Sequence, residues 1–208
     1  MDAAAVEALW RKYKDAGSEM IRADGVSRLC EDVSCDPGDV AVLVLAYHFK
    51  AAAMCEFSKE EWLTGCSALG CDSTAKLAAK LPALRASLGD DATFRAVYSF
   101  AFGFGREGTA KAVVSDVAVA LWALLLPGRW HAADAWLSFF PTAGLKAVSK
   151  DTWTQVLEFS RTVKPDLCAA NQAARSRHLR LYLTRSSPGA TTTRRGRGRA
   201  SSTTLRRC

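Results

Sequence analysis

The sequence predicts an all-helical domain followed by a basic tail, and three observations support that prediction. Apolar residues recur at helical spacing through residues 1–167, as in Val40, Leu43 and Val44. Helix-capping signals precede several of these segments. Residues 1–167 hold 18 basic and 21 acidic side chains, whereas residues 168–208 hold ten arginines and no acidic residue. This separation of charge indicates two physically different segments.

The predicted helices follow one another through short connections, with no clear alternating strand pattern between them. Asp36 precedes a proline suited to a first helical turn and is the predicted N-cap of the third helix. Ser58 and Glu61 form a capping-box pattern before the fourth helix, and Ser149 is predicted to open the ninth. The predicted helices are 5–14, 24–33, 37–53, 58–69, 72–88, 90–104, 111–126, 130–140 and 149–164.

The seven cysteines and three histidines show no spacing typical of a metal site. Cys30 and Cys35 are five positions apart, as are Cys66 and Cys71, which is wider than the spacing of a zinc knuckle. An odd number of cysteines without a secretory signal predicts reduced thiols that pack as small apolar side chains. We expect no metal ion and no cofactor.

Sequence motifs for catalysis are missing as well. Gly103-Phe104-Gly105 lacks the third glycine of a dinucleotide-binding loop and follows no predicted strand. The chain has no His-Glu-x-x-His motif and no nucleophile elbow. His48 lies in a predicted helix, where a structural or surface role is the usual one. We therefore expect no catalytic residues and a protein that is not an enzyme.

Two predicted helix–loop–helix segments have the layout of an EF-hand without its ligands. The apolar anchor residue within each loop, Ala23 or Phe57, is taken as loop position eight. Loop positions one, three and five then hold Ala16, Ser18 and Met20 in the first segment, and Lys50, Ala52 and Met54 in the second. Calcium requires several carboxylate or carbonyl oxygens at such positions. These segments are predicted to be packing units that bind no calcium.

Several separated motifs lie in a fixed order across residues 7–167. They are Asp36 to Ala46, Phe49 to Trp62, Gly70 to Ser73, Phe100 to Phe104, Ala118 to Trp122, Ser149 to Trp153 and Leu157 to Phe159. Together they resemble the defective-in-cullin-neddylation (DCN1-like) family, and several motifs matching in register are more specific than any one. The resemblance implies an all-helical PONY domain over residues 1–167, with an EF-hand-like, calcium-free first half and an incomplete C-terminal end. Residues 168–208 would form a basic, largely disordered tail.

The resemblance implies a non-catalytic co-ligase for cullin neddylation. Such a scaffold accelerates transfer by proximity and orientation of its two partners. The implied partners are a cullin C-terminal domain, the N-acetylated neddylation conjugating enzyme and a RING-containing cullin ligase complex. We expect a soluble protein of the nucleus and cytoplasm without a membrane partner, because no apolar run reaches the roughly 18–20 residues of a membrane span and the N-terminus lacks a signal-peptide pattern.

Two binding surfaces follow from the resemblance. The first is an apolar pocket for the acetylated N-terminal methionine of the conjugating enzyme. Its implied lining is Ala23, Val26, Val42, Leu45, Met54, Phe57, Phe104 and Leu124. For each of these residues the alternative is an ordinary place in the core. The second surface is an acidic patch for the basic end of a cullin, to which Asp151 would contribute, although an acid at a helix N-terminus is also stabilising by itself.

The resemblance stops after Leu167, where the family has an acidic, tryptophan-containing closing helix. With a suitable choice of codons, the bases for residues 197–204 read in another frame as Ala-Trp-Pro-Gly-Leu-Ile-Asp-Asp, which is the missing family stretch. We hypothesise that the tail is coding sequence in a shifted frame, which sequencing the transcript across the Leu167 codon tests. Because arginines replace the expected acids, we also expect weakened cullin binding.

An alternative function is nucleic-acid binding through the arginine- and glycine-rich tail. Such tails bind phosphates through salt-sensitive contacts, and the same cluster could be a nuclear-import signal. However, residues 1–167 are net acidic, and residues 184–208 contain no aromatic side chain to stack on bases. Nucleic acid is therefore not the expected partner. RNA binding that depends steeply on salt and is abolished by deleting residues 184–208 would favour this alternative.

Overall fold

The computed structural model describes residues 2–162 and confirms the all-helical fold class. Its elements are α1 (Ala3–Tyr13), β1 (Met20–Ile21), α2 (Ala23–Asp32), α3 (Val40–Phe49), β2 (Phe57–Ser58), α4 (Lys59–Leu69), α5 (Thr74–Ser87), α6 (Asp91–Phe104), β3 (Ala112–Val114), α7 (Ser115–Leu125), α8 (Ala133–Phe139), a 3-10 helix (Phe140–Ala143), β4 (Ala147–Ser149) and α9 (Lys150–Thr162). The predicted basic tail lies outside the described residues.

Two antiparallel strand pairs organise the helices into two halves of the same layout. In the first half β1 pairs with β2, Ile21 opposite Phe57. In the second half β3 pairs with β4, Val113 opposite Val148. Each pair joins the loops of two helix–loop–helix units, so the EF-hand-like layout predicted for the first half recurs in the second. The strands escaped prediction because two or three residues are too few to show alternation, and the helix predicted to begin at residue 111 instead begins at Ser115.

A serine at the end of the second strand of each half fixes the helix that follows it. Ser58 Oγ accepts a hydrogen bond from the Glu61 amide at 3.2 Å, and the indole of Trp62 donates to the carbonyl of Val6 in α1 at 3.2 Å. In the second half Ser149 Oγ accepts from the Thr152 amide at 3.1 Å, and the Trp153 indole donates to the Tyr98 carbonyl in α6 at 2.9 Å. Each half therefore uses a capping serine and, four residues later, a tryptophan bonded to its first helix.

The start and end of α3 differ from their predicted positions. Asp39, not Asp36, is the N-cap, and its side chain accepts from the Ala41 amide at 2.7 Å. Asp36 instead accepts from the Gly38 amide at 2.6 Å within the preceding turn. The helix ends at Phe49 because Lys50 adopts a left-handed conformation, with φ of 54°. Local side-chain hydrogen bonds of this kind compete with the helix for the same backbone amides.

The five-residue spacing of the cysteines belongs to helix termination. The amide of Cys35 donates to the carbonyl of Cys30 at 2.8 Å, and that of Cys71 to Cys66 at 2.9 Å. A residue in the left-handed conformation precedes the second cysteine in both cases, Gly70 having a φ of 65°. This is the Schellman motif, in which the two end residues make an apolar contact. All four side chains are buried, and burial raises the pKa of Cys66 to about 12 and that of Cys30 to about 11.

Candidate binding surfaces

Hydrogen bonds within the chain hold the two loops of the first half. Lys14 Nζ donates to the Ser18 carbonyl at 3.0 Å. The Glu61 carboxylate accepts from the amides of Ala52 at 2.8 Å and Ser58 at 2.7 Å. Within residues 2–162 no group of three or more histidine, cysteine, aspartate or glutamate side chains is placed to hold a metal ion. These hydrogen bonds hold the loops in the conformation that positions the neighbouring apolar residues.

Four of the predicted pocket residues lie around the first strand pair. Phe57 is in β2 itself, and Ala23 begins α2 two residues after the last residue of β1. An ion pair of 3.7 Å between Arg22 Nε and Glu56 Oε1 connects the segments that carry them. Val26 and Phe57 are buried in the core, whereas Ala23 is exposed and Met54 is 39% exposed.

The remaining four predicted residues lie on three helices that pack in succession. Val42 and Leu45 are on α3, which packs against α6, and the C-terminal end of α6 packs against α7. That second contact is tight, since a Cβ atom placed on Gly105 would lie 2.7 Å from Leu121 Cδ1. Leu45 is buried, and Val42, Phe104 and Leu124 are half-buried.

The two groups of predicted residues adjoin through Phe49 at the end of α3. Its ring meets that of Phe57 edge to face at a centroid distance of 5.3 Å, and Phe49 lies one helical turn after Leu45. Val26, Leu45 and Phe57 have the burial of core residues. The side chains accessible from outside are those of Ala23, Val42, Met54, Phe104 and Leu124.

Tyr47 and Phe100 extend this apolar surface and were missed by sequence reasoning. Their rings meet edge to face at 5.6 Å, and the ring of Phe100 stacks on that of Phe104 at 5.2 Å. All three aromatic side chains are half-buried. The four-residue spacing of Phe100 and Phe104 was the available signal, because such a pair shares one helix face. We name Tyr47, Phe100 and Phe104 the aromatic strip.

His48, beside the aromatic strip, should make folding stability depend on pH. Burial lowers the pKa of His48 from its ordinary value of 6.5, so the unfolded chain binds a proton more readily than the folded one. The contribution of neutral His48 to the free energy of unfolding is therefore complete above neutral pH, and it decreases as the pH drops below 6.5. We expect the urea midpoint of the wild-type chain to be lower at pH 5.5 than at pH 7.5, and the difference to shrink in His48→Gln.

Ion-paired carboxyl groups are not expected to cause the stability change between pH 7.5 and 5.5. Arg85 holds the pKa of Asp39 below its usual range, so that aspartate loses its contribution only at more acidic pH. An unchanged decrease between pH 7.5 and 5.5 in His48→Gln would assign the effect to other groups.

Asp151 is exposed in the first turn of α9, as the sequence predicts. Its carboxylate accepts from Gln155 Nε2 at 2.9 Å. Lys150 precedes it in sequence, and Lys111 precedes Ala112, which pairs with Ser149; both lysines are exposed. The role of Asp151 in binding a cullin stays a prediction.

The fold and these surfaces define a helical domain with two pairs of helix–loop–helix units and a set of accessible apolar side chains. No helix within residues 2–162 combines the length and apolar character needed to cross a bilayer.

Comparison with known proteins identifies the family. The sequence model of the family described as "Cullin binding" matches residues 76–174. DCN1-like protein 3 of Homo sapiens is 35% identical over 167 residues, which cover 78% of this chain and 55% of that protein. DCN1-like protein 5 of Homo sapiens is 38% identical over 156 residues, covering 74% and 66%. The chain belongs to the DCN1-like family, and it spans about half the length of DCN1-like protein 3.

Proposed function

We propose that this chain acts in cullin neddylation as a non-catalytic scaffold that holds the neddylation conjugating enzyme against a cullin. Membership of the DCN1-like family and the match to the family described as "Cullin binding" support this role. The structural observation that carries the proposal is the half-buried apolar surface formed by Val42, Leu124 and the aromatic strip. Half-buried aromatic and branched side chains are suited to receive an apolar segment of a partner.

The proposed ligand of this surface is the acetylated N-terminal methionine of the conjugating enzyme. Val26, Leu45 and Phe57 are buried and would form the apolar floor of this pocket. An acetylated terminus carries no charge, whereas a free ammonium group would lose its hydration without gaining a partner. Ala23 is small and Met54 is flexible, so this rim can adapt to a ligand but holds it less firmly than branched side chains would.

The scaffold would accelerate transfer without bond chemistry of its own. Holding the conjugating enzyme and the cullin lysine together replaces a bimolecular encounter by an oriented one. The cullin would bind at α9 through Asp151. Because Lys150 adjoins that aspartate in sequence and ten arginines follow in residues 168–208, attraction for a basic cullin surface should be weak.

The conjugating-enzyme surface is tested with two peptides that differ only in acetylation of the N-terminal methionine. We expect the acetylated peptide to bind the full chain at least about tenfold more tightly than the free amine, a difference of about 1.4 kcal/mol. Phe104→Ala should weaken binding roughly tenfold to a hundredfold, since burying a phenylalanine side chain contributes about 1.5–3 kcal/mol. Isothermal titration calorimetry measures both effects.

Phe139→Ala is the matched control, because Phe139 is also a half-buried phenylalanine but lies on α8, outside the proposed pocket. It should change the affinity for the acetylated peptide by less than about twofold. Equal losses in both variants, or no loss in Phe104→Ala, would contradict the proposed pocket.

The cullin surface is tested separately by titrating the folded 208-residue chain with a cullin C-terminal domain. Submicromolar binding that is weakened by Asp151→Asn would support a complete co-ligase. If no binding is detected, the chain occupies the conjugating enzyme without delivering it, and the cullin part of the proposal fails.

A further inference from the structure

Three arginine side chains from separate parts of the chain converge on Asp91 at the start of α6. Arg161 Nη2, from the end of α9, lies 2.8 Å from Asp91 Oδ2. Arg95 Nη2, one turn further along α6, lies 3.5 Å from the same oxygen. Arg129 Nη1, from the α7–α8 connection, lies 3.7 Å from Oδ1. We name Arg95, Arg129 and Arg161 the arginine cluster.

The arginine cluster has more donors than Asp91 can satisfy. Three guanidinium groups carry about fifteen N–H donors, whereas one carboxylate offers about four lone-pair positions. The neighbouring Asp90 is already engaged as the N-cap of α6, where it accepts from the amide and the hydroxyl of Thr93, both at 2.8 Å. Three arginines against two aspartates leave the cluster with a net positive charge and with N–H donors that these carboxylates do not satisfy.

The cluster is held in place and remains accessible. The Arg129 guanidinium lies 4.0 Å from the ring centroid of Phe94 and donates to the Leu88 carbonyl. The side chains of Arg95, Arg129 and Arg161 are 51%, 29% and 34% exposed. A partly desolvated, fixed guanidinium loses little conformational freedom when it binds an anion, and the interaction is stronger than at full exposure.

We propose that the arginine cluster is a docking surface for an acidic peptide segment of a partner protein. A segment with two or more adjacent carboxylates supplies the missing acceptors and competes with Asp91 for the guanidinium groups. The tail cannot be this segment, because residues 168–208 contain no acidic side chain. Residues 1–167 carry a net negative charge, so an extended polyanion such as nucleic acid would be repelled beyond the cluster. A short acidic segment would contact only the cluster.

This surface is distinct from the proposed cullin contact. Arg161 follows Asp151 by ten residues on α9, which corresponds to about 15 Å along the helix. The inference does not rest on the role in neddylation, and the two can fail independently.

The test uses the full chain labelled with ¹⁵N-arginine and a capped ten-residue peptide containing four consecutive glutamates. Nuclear magnetic resonance reports the Nε–H signal of each arginine separately, so binding to arginines of the tail is seen apart from binding to the cluster. We expect the signals of Arg95, Arg129 and Arg161 to shift together along one saturation curve. The same peptide with four glutamines should leave them unchanged. Shifts confined to other arginines would overturn the proposal.

Three variants, one of them a control, separate docking from a purely structural role. Arg161→Gln should weaken peptide binding at the cluster about tenfold, whereas Arg11→Gln, which removes an arginine paired with the single carboxylate of Glu7, should not. Asp91→Asn removes the competing carboxylate and should strengthen peptide binding severalfold. If Arg161→Gln and Arg11→Gln have the same effect, or if acetate at equal carboxylate concentration produces the same shifts, the cluster binds an adventitious ion only and the proposal fails.

Discussion

Gly65→Ala is expected to destabilise the first half by about 3 kcal/mol or more. A Cβ atom at Gly65 in α4 would lie 1.8 Å from Cδ1 of Phe49 and 2.3 Å from its Cγ. The Phe49 ring cannot easily move away, because it is fully buried between Phe57 at 5.3 Å and Trp62 at 5.5 Å. Overpacking a core usually costs about 1–3 kcal/mol, and a ring locked on both sides places this change at or above the upper end. Urea denaturation followed by tryptophan fluorescence measures the loss.

Gly103→Ala is the matched control for this change. Gly103 also lies inside a helix, and an added Cβ atom there would meet nothing within 4 Å. Because alanine restricts the unfolded chain and favours the helix, we expect a stabilisation of about 0.5–1 kcal/mol. Similar stabilities for the two alanine variants would show that the close packing of α4 on α3 is not what requires glycine at position 65.

Trp153→Ala is expected to cost about 3–5 kcal/mol, the range for removing a large buried aromatic side chain. The Trp153 ring stacks on Tyr98 at 4.7 Å and on Trp122 at 5.1 Å. Its indole donates to the Tyr98 carbonyl, and its own carbonyl accepts from the Tyr98 hydroxyl at 2.8 Å. The substitution therefore removes the centre of the second-half core and one of the hydrogen bonds to the Tyr98 carbonyl. The free energy of unfolding in urea is the direct measurement.

Trp153→Phe separates the two contributions. It keeps most of the stacked area but loses the N–H, so we expect a smaller loss of about 1–3 kcal/mol, from one lost hydrogen bond and a smaller ring. Leu63→Ala, at a side chain that is 37% exposed on α4, should change stability by less than about 0.5 kcal/mol. A loss in Trp153→Phe equal to that in Trp153→Ala would contradict the importance of ring packing.

Features that depend on near neighbours in the chain were predictable from the sequence. The capping box of Ser58 and Glu61 forms as expected, because its two hydrogen bonds join residues three positions apart. Ser149 likewise caps α9. Helix spacing predicted the fold class.

Features that depend on two distant segments could not be read in this way. The first-half and second-half strands exist because separate loops pair with each other, and two or three residues carry no periodic signal of their own. Phe57 and Phe104 both belonged to the predicted pocket, yet Phe57 is core and Phe104 is half-buried. Hydrophobicity alone does not separate a pocket from a core, because both require apolar side chains.

The sequence by itself determined the helical class, the caps of α4 and α9 and the separation of the net-acidic residues 1–167 from the basic residues 168–208, since these follow from local spacing and composition. Tertiary structure decided which apolar side chains remain accessible and which charges meet. Arg129 and Arg161 reach Asp91 across 38 and 70 residues of sequence. Only the packing of α9 and the α7–α8 connection against α6 brings these side chains together.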